Sequence, residues 1–208
     1  MRSTAESYFY EPCSGHGLPH DPMASIIAPR PIGWISTHDG EGHRNLAPYS
    51  FFNLFNYAPP IIGFASVGYK DTLRNAERTG AFVWNLVTKH VASQMNVTSA
   101  TVAADIDEFK LAGLTPAPSR MVGAPRVAES PVNLECRVTQ IEQLRDAAGT
   151  DVSTWLIMGE VVGVHIAHCL LDEGLFVTTA AVPVLRGGGR TDYFEIGADA
   201  LFRMAQPD

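Results

Sequence analysis

Cysteine is scarce in this chain, with only Cys13, Cys136 and Cys169 among 208 residues. An odd number at wide spacing argues against a disulfide framework and against a dithiol redox motif, so any redox chemistry has to come from a cofactor. Cys136 lies inside an alternating apolar pattern and reads as a small core residue. Positive charge is also in short supply: 15 Lys and Arg stand against 22 Asp and Glu, a formal charge of −7, and no basic run could neutralise a row of phosphates. Nucleic acid is therefore not an expected partner. No uninterrupted apolar segment approaches the roughly 18 residues needed to span a bilayer, so no membrane partner is expected either. The first twenty residues hold Arg2, Glu6, Glu11, Pro12 and Pro19 without an apolar stretch of signal-peptide length. The expectation is a cytoplasmic protein.

What the chain does have is enough apolar material for a core. Hydrophobic residues make up 46% and charged residues 18%, which excludes disordered, collagen-like and coiled-coil classes. Folded and unfolded areas of about 9,500 and 33,000 Å² for this mass allow roughly 70% of the surface to be buried. The 18 glycines and 14 prolines are spread rather than gathered in a linker, and no repeat is visible, so one domain over residues 1–208 is expected.

Short runs rich in Ile, Val, Phe and Trp predict strands at residues 24–28, 32–37, 49–55, 61–67 and 82–87, then 132–144, 155–166 and 175–185. In the sixth, apolar and polar residues alternate until Gln140 and Ile141 shift the parity, which predicts a bulge or bend near 140. Gly159 and Gly163 in the seventh predict close backbone approach. Helices are expected from a cap at Asp71 or Thr72 to Gly80, after Thr88 on Val91, Ala92 and Met95, and after an Asp105/Glu108 capping box, with Gly113 as the stop. The fold class is mainly β, with short helices as inserts.

The stretch from Arg30 to Asn53 is the least ordinary. Ser36, Thr37, Asn45 and Ser50 are small hydrogen-bonding residues embedded among Trp34, Ile35, Leu46, Tyr49, Phe51 and Phe52. A planar polar ligand needs both apolar walls and a few placed donors and acceptors. Such residues also serve turns and cores, and the pattern alone leaves both readings open. Lys70-Asp71-Thr72 then opens a helix directly after a strand, where free backbone N–H groups, a lysine and a hydroxyl would suit an anion. A helix cap beside a solvated lysine would look the same.

Taken in order, Arg30-Pro31-Ile32, Trp34, Ser36-Thr37, the run from Asn45 to Asn53, Pro59-Pro60 and Lys70-Asp71-Thr72 resemble the flavin reductase-like family. Val83 to Asn85, Asp107-Glu108-Phe109, Glu135-Cys136, Gly159-Glu160-Val161 and Arg186 ahead of Tyr193 extend the likeness over about residues 20–195. The resemblance implies an FMN-binding split β-barrel, a homodimer with FMN near the interface, and NAD(P)H as co-substrate. Carried over by position, Trp34 belongs to the cofactor site, and Ser36 and Thr37 face the ribityl chain and flavin edge. Asn45, Ala47, Pro48, Ser50 and Phe51 line the isoalloxazine. Lys70, Asp71 and Thr72 take the phosphate, with Ser66 as a further candidate. No side chain need be catalytic, because FMN carries the chemistry.

Compact members of the family often have a His just before the Gly-Glu-Val strand, whereas here Ser153-Thr154-Trp155-Leu156 stands in that place. The likeness is closer to the longer branch that includes flavoredoxin and the reductase component of nitrilotriacetate monooxygenase. The implied function is an FMN-dependent flavin reductase that takes hydride from NAD(P)H and serves free flavin, a partner monooxygenase or another acceptor. The alternative is an FMN-binding electron carrier without NAD(P)H turnover of its own.

No metal site is expected. His165 and His168 are at an odd offset that points strand side chains to opposite faces. His16 and His20 are separated by glycine and proline, and Asp105, Asp107 and Glu108 fit a helix start. Arg186-Gly187-Gly188-Gly189-Arg190 lacks the lysine and serine of a phosphate loop and reads as a flexible turn before Tyr193.

Overall fold

The structure is a computed structural model that describes residues 7–205 and 207. Arg2 and Glu6, on which the reading of the N-terminal stretch drew, lie outside them. Seven antiparallel strands form the main sheet: β1 (Gly33–His38), β2 (Arg44–Tyr49), β3 (Phe52–Tyr57), β4 (Pro60–Val67), β5 (Ala81–Asn85), β6 (Val132–Arg145) and β7 (Asp151–Ile166). Their order across the sheet is β2-β1-β5-β6-β7-β4-β3. The sheet curls until Tyr49 on edge strand β2 meets Phe64 on β4, with ring centroids 4.8 Å apart. This is the split barrel that the family resemblance implies.

The interior is filled by Ile35, Ile62, Phe64, Phe82, Cys136 and Ile157, and Leu73 and Ala76 of helix α1 (Asp71–Thr79) plug one end. Phe64 and Phe82 meet edge to face at 5.3 Å. Gly159 makes room for this arrangement, because a Cβ there would lie 2.6 Å from the Phe82 ring. Burial, then the neighbouring Glu135, pushes the Cys136 thiol well above the ordinary range, in keeping with a packing role. A second apolar cluster forms on the other side of β1. There Trp34, Leu46, Met95, Phe109 and Val127 pack together beneath helices α2 (Ala92–Val97) and α3 (Glu108–Leu111). β1 is thus covered on both faces.

The parity shift in β6 is a bulge: Met158 pairs with Gln140 and Gly159 with Val138, which leaves Thr139 as the extra residue. Three expectations need correction. Residues 24–28 begin as a helix, Met23–Ile26, rather than a strand. The run 49–55 is two strands, since the chain turns at Ser50 and Phe51 between β2 and β3. The run 175–185 breaks into a two-residue strand, the helix Thr178–Ala181 and the strand Val184–Arg186. Ala181 and Val184 pack beside the barrel, whereas Leu175 and Phe176 are exposed, so the apolar content does not mark a single extended element. Among the described residues no helix is long and apolar enough to cross a membrane.

The strand Val184–Arg186 pairs on one side with Arg30–Pro31 and on the other with Tyr193–Glu195, and Arg30 ties this small sheet to the barrel. Its guanidinium donates to the carbonyls of Ala24, Ile27, Gly187 (3.2 Å) and Ser50 (3.2 Å). Three backbone segments, the neighbouring turn at residues 24–27 and the distant carbonyls of Ser50 and Gly187, are therefore fixed by one planar cation with five donors.

Candidate functional site

A cleft of about 420 Å³ opens where the end of β2, the Ser50-Phe51 turn, β4, the start of α1 and residues 98–102 come together. Ala47, Pro48, Phe51 and Val67 give it apolar walls, while Asn45, Lys70, Asp71 and Thr72 supply polar groups. The side chain of Asn45 donates to Thr72 Oγ1 at 2.7 Å, which fixes the Thr72 oxygen. Burial raises the Tyr49 phenol above its ordinary range, an effect that the neighbouring Thr72 and Ser66 hydroxyls partly offset.

Lys70 is the N-cap of α1 and gives no side-chain cap. It makes no ion pair among the described residues, so its charge is uncompensated. The Asp71 carboxylate turns along the helix to Arg74 at 2.5 Å. The first-turn N–H groups lack intrahelical partners by the geometry of any α-helix, and with Lys70 they form a positive corner of the cleft. Glu108 lines the other side. Its carboxylate accepts from the Leu46 N–H at 3.2 Å, and burial, reinforced by Asp71 and Asp107, pushes its pKa up.

Eight of the twelve residues expected at the site line this cleft: Asn45, Ala47, Pro48, Ser50, Phe51, Lys70, Asp71 and Thr72. The other four, Trp34, Ser36, Thr37 and Ser66, are buried behind it. For Trp34, Ser36 and Thr37 the cause is the position of β1, which has neighbours on both edges and packing on both faces; Ser66 is on β4. Ser36 donates to the Pro125 carbonyl at 2.5 Å, and Thr37 accepts from the Asn75 amide at 3.3 Å. Ser66 donates to the Gly68 carbonyl at 2.9 Å. Trp34 Nε1 donates to Thr98 Oγ1 at 3.0 Å and so holds a cleft-lining segment without reaching the cleft.

Sequence reasoning did not name Thr98-Ser99-Ala100-Thr101-Val102 or Glu108 as site residues. The run of small hydroxyl residues after α2 was the available signal. Glu108 was assigned to a capping box with Asp105, but the cap is Asp107, which accepts from Phe109 N–H at 3.0 Å and Lys110 N–H at 3.4 Å. Glu108 is freed for the cleft.

Comparison with known proteins agrees with this geometry. Residues 23–185 match the family model described as flavin reductase like domain. An uncharacterized protein of Aquifex aeolicus is 35% identical over 174 residues, covering 81% of this chain and 85% of that protein. Among solved structures, nitrilotriacetate monooxygenase component B from Bacillus cereus superposes with a TM-score of 0.80 at 30% identity, over 88% of this chain and 90% of that one. The 2-nitrobenzoate 2-nitroreductase of Pseudomonas fluorescens gives 0.77 at 27% identity, over 89% and 88%. Family model and fold agree over most of the chain's length, and the protein accordingly belongs to the flavin reductase-like family, with a flavin-related redox function.

Proposed function

We propose that the cleft holds FMN and that the protein is an FMN-dependent oxidoreductase of the flavin reductase type. It would take hydride from NAD(P)H and pass electrons to free flavin, a partner monooxygenase or another acceptor. The observation that carries this reading is the convergence of Asn45 to Phe51 with Lys70 to Thr72 on one cleft that has an uncompensated lysine at a helix start. The volume lies within the range of cofactor sites, and the mixture of apolar wall and few polar groups suits a planar heterocycle with a phosphate.

Lys70, the Thr72 hydroxyl and the first-turn N–H groups of α1 hold the phosphate. Ala47, Pro48 and Phe51 exclude water from the ring, and Asn45 keeps Thr72 oriented. When bound, FMN supplies two-electron chemistry with reduced nicotinamide. The chain itself contributes placement, and no acid, base or nucleophile is required of it.

The same reading includes a homodimer in the cytoplasm. Surface area supports it: the chain exposes 13170 Å², against about 9,500 Å² for a compact monomer of this mass. Exposed apolar side chains include Leu54, Phe55 and Tyr57 on edge strand β3. A second copy is the natural cover for such a strand. A flavin-retaining monomer in sedimentation would remove this part of the proposal.

One feature favours the electron-carrier alternative. Where compact relatives have a His ahead of the Gly159-Glu160-Val161 strand, Trp155 instead packs edge-on against Tyr69 at 5.8 Å. The deciding experiment is the visible spectrum of the purified protein, followed by anaerobic addition of NADH and then NADPH. Prompt bleaching of a flavin spectrum is expected. A flavin spectrum that persists would assign the protein to the carriers, and a colourless protein that cannot be reconstituted with FMN would overturn the flavin site.

A further inference from the structure

A second cavity, of about 260 Å³, adjoins the cleft and shares Pro48, Tyr49, Ser50 and Ser99 with it. Its other lining includes two cations, Arg186 and Arg190, neither of which lines the first cleft. In a chain with a formal charge of −7, one continuous depression carries Lys70 in one part and two arginines in the other. The two arginines are not equivalent. Arg186 is spent on structure: it donates to the Asp192 carbonyl at 2.6 Å and to the Arg190 carbonyl at 2.9 Å, and lies over the Tyr193 ring at 4.8 Å. The Arg190 side chain makes no ion pair or hydrogen bond among the described residues.

The segment that carries Arg190 is braced. Gly187 N–H donates to the Asp192 carbonyl at 2.8 Å, and Gly189 N–H donates to the Asp192 carboxylate at 3.0 Å. Gly188 presses against Ser25, where a Cβ would come within 2.1 Å of the Ser25 hydroxyl. The expected flexible turn is therefore a fixed one, anchored through Gly187 to Arg30 and thereby to Ser50 on the cleft rim. A rigid turn that presents a free guanidinium into a cavity beside a cofactor cleft is built as an anion receptor.

We propose that this second cavity is the subsite for a phosphoryl group of the second substrate, with Arg190 as its ligand and Arg186 as the positioning residue. The proposal rests on the flavin reading of the first cleft. A volume of about 260 Å³ is too small for a whole dinucleotide and suits one part of it. The phosphate can belong to the nicotinamide donor or to a free FMN acceptor, and both present the same chemistry to the guanidinium.

The test uses the full-length protein, its Arg190→Ala variant and, as conservative control, Arg190→Lys. Equilibrium binding of NAD+, NADP+ and added free FMN is titrated at two salt concentrations, and the flavin already bound is measured separately from the visible spectrum. The expected result is unchanged bound flavin in Arg190→Ala with about tenfold weaker binding of at least one titrant, a shallower salt dependence and partial rescue by lysine. Weakening of NADP+ and NAD+ places the donor's phosphates in the subsite, whereas weakening of added FMN alone places the acceptor's there. Equal affinities of wild type and Arg190→Ala for all three, or no measurable binding of any to the wild type, would overturn the subsite. Failure of the flavin reading shows separately, as wild-type protein without flavin.

Discussion

The barrel interior and the wall of the cleft are held by different physics. Around Phe64 and Phe82 the packing is aromatic and aliphatic, with few polar atoms. The segment from residue 98 to 130 also packs on apolar groups, Phe109 and Val127 among them, but its attachment to the sheet runs through buried polar side chains. Glu135, 0% exposed, accepts from the N–H groups of Arg120 (2.8 Å), Met121 (2.6 Å) and Val122 (3.1 Å) and bonds to His165 at 2.5 Å. The side chain of Asn85 accepts from the Val127 N–H at 2.9 Å, and Asn133 donates to the same Asn85 oxygen at 2.9 Å. Apolar packing tolerates any shape that fills the volume, whereas hydrogen bonds fix direction. The barrel therefore supplies stability, and the polar network fixes the later part of the 98–130 segment against the sheet.

If that division is right, the largest loss of stability comes from the barrel. Phe82→Ala removes a fully buried ring that fills the space above Gly159 and should cost about 3 to 5 kcal/mol in urea unfolding. The folded fraction should still bind flavin, because Phe82 does not line the cleft. Loss of flavin from a folded Phe82→Ala protein would erase the distinction between the two regions.

Glu135→Gln tests the other region and should cost about 3 kcal/mol at neutral pH, because a charge-assisted acceptor of several donors is replaced by a half-donor. The pH dependence identifies the cause. Burial by itself would raise the Glu135 pKa, but the donors of Arg120, His165, Met121 and Val122 outweigh it, and the folded value falls below the ordinary 4.5. A lowered folded pKa contributes stability that is present above about pH 4.5 and is lost as pH falls through the folded value. The urea midpoint of Glu135→Gln should accordingly fall less between pH 7 and pH 3.5 than that of the wild type, while Phe82→Ala keeps the wild-type slope. Equal slopes in all three proteins would show that the charge of Glu135 does not hold residues 120–122.

Lys70→Ala addresses the ligand rather than the fold. Removal of an exposed, unpaired cation should leave unfolding nearly unchanged and weaken FMN by about 1.5 to 3 kcal/mol, the worth of a charged hydrogen bond. Unaltered affinity in a fluorescence titration would take the phosphate away from α1.

How much of this was readable in the sequence follows the same division. Strands with clear alternation or strong apolar runs, such as β1, β4, β5 and β6, were legible to within a few residues, and so was the Thr139 bulge, because side-chain period reports directly on the backbone. The cleft was legible where one segment supplies neighbouring residues, as from Asn45 to Phe51. Trp34, Ser36 and Thr37 lie behind the cleft lining, a placement that local pattern cannot tell because it depends on β1 having both edges paired and both faces covered. Residues 98–102 and Glu108 escaped for the converse reason: they reach the cleft only through contacts with partners far along the chain, Trp34 for Thr98 and Leu46 for Glu108.

Trp34→Phe is the smallest change and the most specific probe of that last point. The ring volume is mostly retained, so stability should fall by about 1 kcal/mol, the net worth of the lost hydrogen bond to Thr98. Thr98 also donates to the Met95 carbonyl at 2.7 Å and would keep that bond, so the 98–102 segment should loosen without coming away. FMN should dissociate several-fold faster from this variant although Trp34 does not line the cleft, and the added rate should be absent from a control such as Lys89→Ala, whose exposed pair with Glu195 lies outside it. Wild-type dissociation from Trp34→Phe would mean that the wall stands without its hydrogen bond to β1, and that the apolar contacts of α2 and α3 position it unaided.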